Sequence, residues 1–465
     1  MAVKQIIFDA VIVGSGQGGN PLALALAKSG KKVALVERSA VGGTCVNVGC
    51  TPTKTMIASA RIAHLVSRAK DFGINTASWS VDISAVIKRK QDIVASFSDG
   101  SRKRLLSTAG ITLLEGEASF TGMKELQVEY PSGEKDFIKA DLIIIDSGAR
   151  PATPHIPGLD TVQAYDSTSI MEIARLPEHL IVIGGGYVGL EFGQMFRRFG
   201  SKVTIVHRNA QLLSREDPDL AEEVQKIFQN EGIALLLNTI PVRVEAPKKE
   251  KVRLTVTTNN QEHLVEGSHL LIATGRTPNT AALNLEATGI ITDQRGFVPV
   301  NDKLETAAPG IYALGDVNGG PAFTHIAYDD YRILRKNLLE GGNAVTTGRP
   351  VPYVVFTDPQ LGRIGMTEKE AQAAGCKYRV AKIPMTWVAR ALEVDETAGI
   401  MKVIVDAQTD QILGAAILGI EGGEVMSVLQ MAMLGNLPYT VIRDGIFAHP
   451  TLAESLNNLF MALDS

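Results

Sequence analysis

The fold is decided by a sequence pattern that occurs twice. Residues 10–19 read AVIVGSGQGG and residues 180–189 read LIVIGGGYVG. Each run predicts a buried β-strand, a GxGxxG turn and a helix, and a second strand follows, at 32–37 and at 202–206. In such a turn the first glycine allows the tight bend, the second lets the backbone approach a pyrophosphate, and the third packs the helix on the sheet. One GxGxxG is often purely structural, whereas two in full strand-turn-helix context predict two dinucleotide-binding units.

The residue 23 positions after the first glycine distinguishes the two units. In the first unit it is Glu37, a carboxylate suited to accept hydrogen bonds from a ribose hydroxyl. In the second it is His207, followed by Arg208. Arg208, together with Arg215, can pair with a 2′-phosphate that a carboxylate would repel. We therefore expect the second unit to accept NADPH at least as well as NADH; the alternative is that Arg208 is a plain surface charge.

The composition is that of an ordinary globular chain with a surplus of glycine. Its 465 residues include 44 glycines, 45% hydrophobic residues and 21% charged residues, which excludes a disordered chain and a small disulfide-stapled scaffold and is consistent with three or four domains. The net charge of −4 gives no general attraction to nucleic acid or to an anionic membrane. With no leader pattern and no apolar run of about 18 residues, we expect a cytoplasmic protein that binds neither membrane nor nucleic acid.

Proline- and glycine-rich stretches mark three domain boundaries. They lie at 148–151, at 274–279 and near Pro350. Together with the two repeated units, this division predicts an α/β fold built on two Rossmann-like dinucleotide-binding domains. The expected segments are 1–150, 151–280, 281–350 and 351–465. Outside the repeated units, helices are expected at 51–70, 83–106 and 423–434, and a meander at 125–139 that leads into a strand at 142–145.

Two of the three cysteines stand close together. Cys45 and Cys50 lie in the run GGTCVNVGCTPTK at 42–54, whereas Cys376 has no partner in sequence and is expected to pack as a small hydrophobe. A pair this close can form a disulfide across a distorted helical turn. In a reducing compartment such a pair is more often catalytic or metal-binding than structural. A zinc site would need further ligands and only His64 is near, so we predict redox use and no bound metal.

These motifs together resemble one enzyme family. The run GGTCVNVGCxPxK and the two GxGxxG units resemble the class I pyridine nucleotide-disulfide oxidoreductases, which include dihydrolipoamide dehydrogenase, glutathione reductase and mercuric reductase. Residues 311–316 resemble the family's second FAD motif, residues 273–279 its link back from the nicotinamide domain, and residues 449–454 its C-terminal acid-base motif. For the four segments in chain order, the resemblance implies FAD binding, NAD(P) binding, completion of the FAD domain, and dimerisation through an α+β domain.

The resemblance also implies which residues hold the two cofactors. FAD is expected on the first unit, with its adenosine ribose at Glu37, and NAD(P)H on the second, where Tyr187 covers the nicotinamide pocket. The residues implied for FAD are Gly14, Ser15, Gly16, Gly19, Glu37, Arg38, Gly43, Thr44, Lys54, Gly148 and Asp316. The residues implied for NAD(P) are Gly184, Gly186, Tyr187, Gly189, His207, Arg208, Arg215, Gly275 and Arg276.

The chemistry implied by the resemblance is disulfide reduction. NAD(P)H passes hydride to FAD, which reduces a disulfide between Cys45 and Cys50; Cys50 faces the flavin as the charge-transfer thiolate and Cys45 meets the substrate. Lys54, paired with Glu191, lies by the flavin ring. An interchange thiol with an ordinary pKa of about 8.5 needs a base. His449, oriented by Glu454, is implied as that base; in the family it reaches the cysteines of the other subunit, and its peptide bond to proline is cis. The alternative is that His449 merely lies in a C-terminal turn.

Departures from the family pattern leave the oxidant open. Asp146 stands where the family usually has a small residue, and we have no account of it from sequence. Mercuric reductases resemble the chain at 42–54 and 215–218, but they end in a vicinal cysteine pair and lack the histidine at 449, whereas this sequence ends at 463–465 with Leu-Asp-Ser. The segments 323–332 and 454–460 resemble the reactive-chlorine-resistance flavoproteins, a branch associated with copper reduction.

Three functions are therefore considered. The first is an NAD(P)H-dependent flavoenzyme that uses the cysteine pair on a small disulfide, another thiol-reactive molecule or a soft metal ion such as Hg(II) or Cu(II). The second is the lipoamide-reoxidising component of a multienzyme complex. The third is a flavoprotein that reduces quinones or metals directly at the flavin. The first explains every motif, so we predict it.

Overall fold

A computed structural model describes residues 5–248 and 251–464. Helix bounds agree with expectation at 83–106 and 423–434 to within one residue, whereas the helix expected at 51–70 begins at Cys50 and ends at Ser67, because a separate 3₁₀ turn closed by Gly73 follows it. The α-helices are α1 (Gly19–Lys28), α2 (Gly43–Asn47), α3 (Cys50–Ser67), α4 (Ile83–Ser107), α5 (Tyr187–Arg198), α6 (Pro218–Asn230), α7 (Thr324–Leu339), α8 (Glu368–Ala373), α9 (Ala389–Glu393), α10 (Gly422–Leu434), α11 (Tyr439–Arg443) and α12 (Ser455–Met461).

The strands include both pairs expected from the repeated units. Short 3₁₀ turns lie at Ala69–Phe72, Leu159–Thr161, Ser169–Glu172, Leu285–Thr288, Gly315–Asn318 and Met385–Trp387. The strands are β1 (Gln5–Val13), β2 (Val33–Val36), β3 (Ile111–Leu114), β4 (Glu117–Gly122), β5 (Glu125–Glu129), β6 (Lys135–Ile145), β7 (Ala149–Pro151), β8 (Ala164–Tyr165), β9 (His179–Ile183), β10 (Lys202–Val206), β11 (Ala234–Leu236), β12 (Thr239–Lys248), β13 (Lys251–Thr258), β14 (Gln261–Gly267), β15 (His269–Ile272), β16 (Arg276–Pro278), β17 (Ile311–Ala313), β18 (Tyr353–Val355), β19 (Gln360–Gly365), β20 (Tyr378–Pro384), β21 (Ile400–Asp406) and β22 (Ile412–Gly419).

The chain forms two compact units, and the first takes its described residues from 1–55, 85–152 and 275–349. Its sheet has the order β3-β2-β1-β6-β5-β4, with β17 also paired to β6. Strands β1, β2, β3 and β17 are parallel to their neighbours, while β4, β5 and the start of β6 form the antiparallel meander expected near 125–139. Both faces of β1 are covered, since Val11 and Val13 pack in one core and Ala10 and Ile12 in the other. This two-sided burial explains the unbroken apolar run before the first turn.

Residues 148–151 and 275–279, from two of the boundary stretches, lie side by side in the first unit. Strand β16 pairs antiparallel with β7, and the N–H of Ala152 donates to the carbonyl of Gly275 at 2.9 Å. The chain therefore leaves and re-enters this unit at neighbouring positions. The boundaries of the four expected segments stay a prediction.

The second unit takes its described residues from 56–84, 153–274 and 350–464. It contains a five-stranded parallel sheet in the order β11-β10-β9-β15-β8. A three-stranded antiparallel sheet, β12-β13-β14, and a five-stranded antiparallel sheet, β18-β19-β22-β21-β20, complete its strands. Helix α10 packs on β19 and β22, where Met426 and Leu429 are buried. The mixture of parallel and antiparallel sheets agrees with the expected α/β architecture. Within the described residues, no helix combines the length and the apolar character needed to span a bilayer.

Candidate active site

The first glycine turn follows β1 and is shaped by close backbone contact. Gly14 has a φ of +107°, and a Cβ there would lie 2.2 Å from the carbonyl oxygen of Asp146. A side chain at this position is therefore excluded both by backbone conformation and by space. Helix α1 begins at Gly19, so the positive end of its dipole lies at the turn, which is the arrangement that binds phosphate.

Glu37, directly after β2, reaches back to this turn. Its carboxylate accepts hydrogen bonds from the N–H of Ser15 at 3.0 Å and from the Ser15 hydroxyl at 2.6 Å, and from the N–H of Ser39 at 2.9 Å. The Glu37 residue is only 7% exposed. Glu37, the residue identified by its distance in sequence from Gly14, therefore lies at the edge of the first glycine turn, as the sequence predicts.

The first turn also offers space and unpaired polar atoms for FAD. A Cβ on Gly43 would lie 2.7 Å from the Cα of Gly16, so these two glycine segments touch, whereas a Cβ on Gly148 would meet nothing within 4 Å. The buried Oγ of Ser147 and Oδ1 of Asn20 have no hydrogen-bond partner among the described residues. Buried polar atoms are rarely left unpaired in a native protein. Bare backbone, open space and unpaired polar atoms fit a dinucleotide here.

Arg276 and Asp316 meet in the first unit. The Nε of Arg276 lies 3.5 Å from Oδ2 of Asp316, and its Nη2 donates to the carbonyl of Ala149 at 2.5 Å. Burial raises the pKa of Asp316, Arg276 opposes that shift and Asp330 adds to it. Arg276, like Gly275 before it, was predicted to bind NAD(P). The structure places its guanidinium against the acidic residue of the second FAD motif, and a role toward NAD(P) stays a prediction.

The second glycine turn follows β9 and repeats the geometry of the first. Gly184 has a φ of +123°, and a Cβ on Gly189 would lie 2.0 Å from the carbonyl oxygen of Gly184. A Cβ on Gly186 would meet nothing within 4 Å, so the space beside the first turn of α5 is open. Tyr187, the first residue of α5, is 38% exposed. This open helix N-terminus fits the pyrophosphate of NAD(P)H.

His207 takes the position in the second turn that Glu37 takes in the first. Its Nδ1 accepts the N–H of Gly185 at 3.1 Å, and its Nε2 lies 3.4 Å from the hydroxyl of Ser214. Burial lowers the pKa of His207, and the charge of Arg208 acts in the same direction. The imidazole is therefore neutral at physiological pH, with its proton on Nε2. Arg208 and Arg215 are both exposed.

The cysteine pair lies where α2 gives way to α3. Cys45 is in α2 and is half-buried, whereas Cys50 is the first residue of α3 and is exposed; both are thiols in this structure. A Cβ on Gly49 would lie 2.8 Å from the carbonyl oxygen of Thr44, so glycine lets the chain turn closely between the two helices. A thiolate at the first residue of an 18-residue helix is stabilised by the positive end of the helix dipole.

The two thiols interact directly. A hydrogen bond with Cys50 raises the pKa of Cys45, and burial raises it further, while Thr324 and Lys54 oppose the shift. The Sγ of Cys50 lies 3.3 Å from Oγ1 of Thr324, the first residue of α7. Cys45 is thus a protonated thiol at neutral pH and needs a base before it can act as a nucleophile.

A histidine-carboxylate pair lies in the second unit. Nδ1 of His449 is 2.8 Å and 3.0 Å from the two carboxylate oxygens of Glu454, and the His449–Pro450 peptide bond is cis, as expected. Because a carboxylate only accepts hydrogen bonds, Nδ1 carries the proton and Nε2 is left as an acceptor. The His449 side chain is 67% exposed. An oriented, accessible imidazole of this kind can take a proton from a thiol.

Other predicted residues are found in less informative positions. Glu191 lies on α5, is 3% exposed and accepts the N–H of Phe356 at 2.8 Å; Lys54 lies on α3. Their mutual pairing stays a prediction. Arg38 is exposed and pairs with Glu117 at 3.2 Å. Sequence reasoning assigned no role to Thr324, although the segment 323–332 resembled one branch of the family.

Comparison with known proteins gives the family. Residues 8–330 match the model of the pyridine nucleotide-disulphide oxidoreductases, and residues 351–460 match the dimerisation domain of the same group. The probable pyridine nucleotide-disulfide oxidoreductase RclA of Escherichia coli is 39% identical over 97% of this chain and 98% of its own length. A mercuric reductase of Bacillus cereus is 35% identical, with 98% of this chain and 72% of that protein covered.

Solved structures agree with the sequence comparison. The Cu(II) complex of the HOCl-induced flavoprotein disulfide reductase RclA from Escherichia coli is similar, with a TM-score of 0.89, 38% identity and 99% of both chains covered. By sequence comparison alone, a dihydrolipoyl dehydrogenase of Chlamydia muridarum is 32% identical over 96% of this chain and 95% of its own length. The FAD- and NAD(P)-binding folds and the C-terminal dimerisation domain expected from the sequence are confirmed.

Proposed function

The chain belongs to the pyridine nucleotide-disulphide oxidoreductase family, and from that premise we propose that it uses NADPH to reduce a small thiol-reactive oxidant at Cys45 and Cys50. It is an FAD-dependent NAD(P)H oxidoreductase with a dimerisation domain. The proposal rests on the match between two residues. Cys45 requires a base, and His449 is oriented by Glu454 to act as one. We assign a cytoplasmic location to it, because the cysteine usage fits a reducing compartment.

The chain's own residues divide the work as follows. When bound, FAD would supply the redox chemistry that links hydride from NAD(P)H to reduction of the Cys45–Cys50 disulfide. Cys45 gives its proton to Nε2 of His449, and its sulfur attacks a sulfur of the oxidant, which forms a mixed disulfide and expels one thiolate. That thiolate takes the proton from His449. The Cys50 thiolate then attacks Cys45, which closes the Cys45–Cys50 disulfide and releases the second product thiol after protonation from solvent.

His449 acts across the dimer in this proposal. The family pattern joins the C-terminal histidine of one subunit to the cysteines of the other, and the exposed imidazole of His449 is consistent with use by a second copy. Glu454 holds the proton on Nδ1, so that Nε2 is the only ring nitrogen able to accept one. The active site is then complete only in the homodimer.

NADPH is the proposed donor because the second turn has no negative charge where the first has Glu37. The neutral His207 replaces that carboxylate, and Arg208 and Arg215 are exposed beside it. A guanidinium can pair with a 2′-phosphate through charge-assisted hydrogen bonds. This arrangement disfavours the lipoamide-reoxidising role, in which NAD is the natural acceptor.

Cu(II) is a second candidate oxidant. Solved relatives 38% identical to this chain are Cu(II) complexes of RclA, and thiolate sulfur is a soft ligand suited to copper. Two Cu(II) ions would take one electron each from the Cys45 and Cys50 thiols, which would leave two Cu(I) ions, the disulfide and two protons. Hg(II) is a further soft metal ion open to the same thiol pair.

The test compares turnover by the purified dimeric wild type with turnover by the Cys45→Ser variant. Cys376→Ser is the matched control, because Cys376 is a half-buried thiol outside the proposed site. NADPH oxidation is followed with lipoamide, glutathione disulfide, Cu(II), Hg(II) and a quinone in turn. We expect Cys45→Ser to abolish turnover with the true oxidant while flavin reduction by NADPH is retained, and Cys376→Ser to match the wild type. Full turnover by Cys45→Ser would instead assign the reaction to the flavin alone.

A further inference from the structure

Asp146 is an acidic residue placed inside the first glycine turn. It follows β6 directly, and its backbone N–H donates to the carbonyl of Val13 at 2.8 Å. Its carboxyl Oδ2 accepts the N–H of Gly19, the first residue of α1, at 2.7 Å. A Cβ on Gly16 would lie 2.7 Å from that same oxygen, and a Cβ on Gly315 would lie 3.2 Å from Oδ1. The side chain is therefore wedged between the phosphate-binding turn and the second FAD motif, and the residue is 7% exposed.

The surroundings of Asp146 disfavour a negative charge. Burial raises the pKa of its carboxyl well above the usual range; the Gly19 N–H opposes this, and the carboxylates of Asp316, Glu37 and Asp330 add to it. The cations nearby are engaged with those neighbours: Arg276 lies against Asp316, and Arg349 lies 2.6 Å from Asp330. Of these interactions, the hydrogen bond from the Gly19 N–H at the start of α1 is the one that favours an ionised Asp146.

A dinucleotide pyrophosphate would add negative charge at this same turn. The N-terminus of α1 is the phosphate-binding end of the unit, and Asp146 already occupies one of its N–H groups, that of Gly19. An ionised carboxylate there would repel the pyrophosphate. A neutral carboxylic acid carries a proton that it can donate, and a neutral acid in a buried site is a known way to supply a hydrogen bond.

We propose that Asp146 holds FAD as a neutral carboxylic acid, so that loss of its proton at alkaline pH weakens cofactor binding. Asp146 is then a positioning residue for the cofactor, whichever oxidant the enzyme reduces. FAD binding takes up a proton from solvent wherever Asp146 is ionised in the apoprotein. The affinity for FAD is therefore highest below the apoprotein pKa of Asp146. It falls about tenfold per pH unit above that pKa, until the pKa of Asp146 in the FAD complex is passed.

The test is FAD affinity against pH, which does not depend on turnover. Apoprotein is titrated with FAD by flavin fluorescence between about pH 6 and pH 9.5 for the wild type, Asp146→Asn and Asp141→Asn. Asp146→Asn keeps the shape and an N–H donor but cannot ionise, whereas Asp141 lies on β6, the strand that Asp146 follows, with a fully exposed side chain. We expect the Kd for FAD to rise about tenfold or more between pH 7 and pH 9 in the wild type and Asp141→Asn, and to stay within about twofold in Asp146→Asn.

Three results would overturn the proposal. The first is a wild-type slope equal to that of Asp146→Asn; the second is a wild-type Kd for FAD that does not change with pH; the third is tighter FAD binding by Asp146→Asn by one constant factor at every pH, as an ionised carboxylate requires. If Asp146→Asn does not fold, the wild type decides alone. Calorimetry of FAD binding near pH 8.5 in two buffers of different ionisation enthalpy should give net uptake of about half a proton or more, and zero uptake or proton release refutes the assignment.

Discussion

Replacing His449 by alanine should separate the two halves of the reaction. Cys45 has a raised pKa because it hydrogen-bonds Cys50 and is partly buried, so it cannot ionise by itself at neutral pH. Nε2 of His449 is the available acceptor for its proton, because Nδ1 is held by Glu454 at 2.8 Å. Flavin reduction by NADPH needs neither the thiol proton nor this imidazole.

The size of the effect follows from the thiolate population. An unperturbed thiol with a pKa of about 8.5 is roughly 3% thiolate at pH 7, and the raised pKa of Cys45 places its thiolate below that fraction. A positioned general base is worth about 10²- to 10⁴-fold. We therefore expect His449→Ala to slow disulfide turnover at least about 100-fold. Its residual rate should climb with pH beyond pH 9 without levelling, since more Cys45 ionises at each step.

Stopped-flow kinetics of the two half-reactions provides the assay. One experiment mixes oxidised enzyme with NADPH, and the other mixes reduced enzyme with a disulfide. His263→Ala is the control, because His263 is an exposed histidine on β14 of the same unit. His449→Ala should keep the first rate within about twofold and lose the second. Equal slowing of both half-reactions, or no slowing of either, would refute the reasoning.

Two further predictions concern charged groups. Arg208→Glu should move the ratio of kcat/KM for NADPH over NADH toward NADH by about tenfold or more, because a carboxylate replaces a phosphate partner; an unchanged ratio in steady-state kinetics would make Arg208 a surface charge. Lys402→Met should lower the free energy of unfolding by about 3–5 kcal/mol in urea titration, since its 2%-exposed ammonium lies 3.0 Å from Asp217 and from Asp219. Lys382→Met, with half of its side chain exposed and the same 3.0 Å contact to Asp219, should cost less than about 1 kcal/mol, and equal losses would contradict this.

Local signals in the sequence were sufficient for the two glycine turns. Apolar runs bounded by GxGxxG fix both the strand and the start of the helix, and the count of 23 residues reaches Glu37 and His207 at the matching edge of each turn. The short strand at 311–313 could not be paired from sequence. It lies beside β6 through contacts between residues far apart in the chain, and no local pattern specifies such a partner.

The sequence predicts the site residues that belong to a recognisable motif. It does not predict those whose role depends on packing in the folded chain. Cys45, Cys50, His449 and Glu454 belong to runs with a recognisable spacing. Asp146 was noticed in sequence only as a departure from the family pattern, because its meaning depends on the distance from its carboxyl to the start of α1. A buried charge such as that of Lys402 cannot be recognised from the sequence, since a lysine side chain usually lies at the solvent-exposed surface.

The two glycine turns differ in charge at one position, and this difference distinguishes their cofactors. In both turns the second residue donates its N–H to the side chain 23 positions after the first glycine: Ser15 to Glu37, and Gly185 to His207. The backbone geometry of this contact is therefore common to both units. What differs is that the acceptor is a carboxylate in one and a neutral imidazole in the other. A carboxylate accepts ribose hydroxyls and repels a 2′-phosphate, so the same frame can hold FAD at one site and admit NADPH at the other.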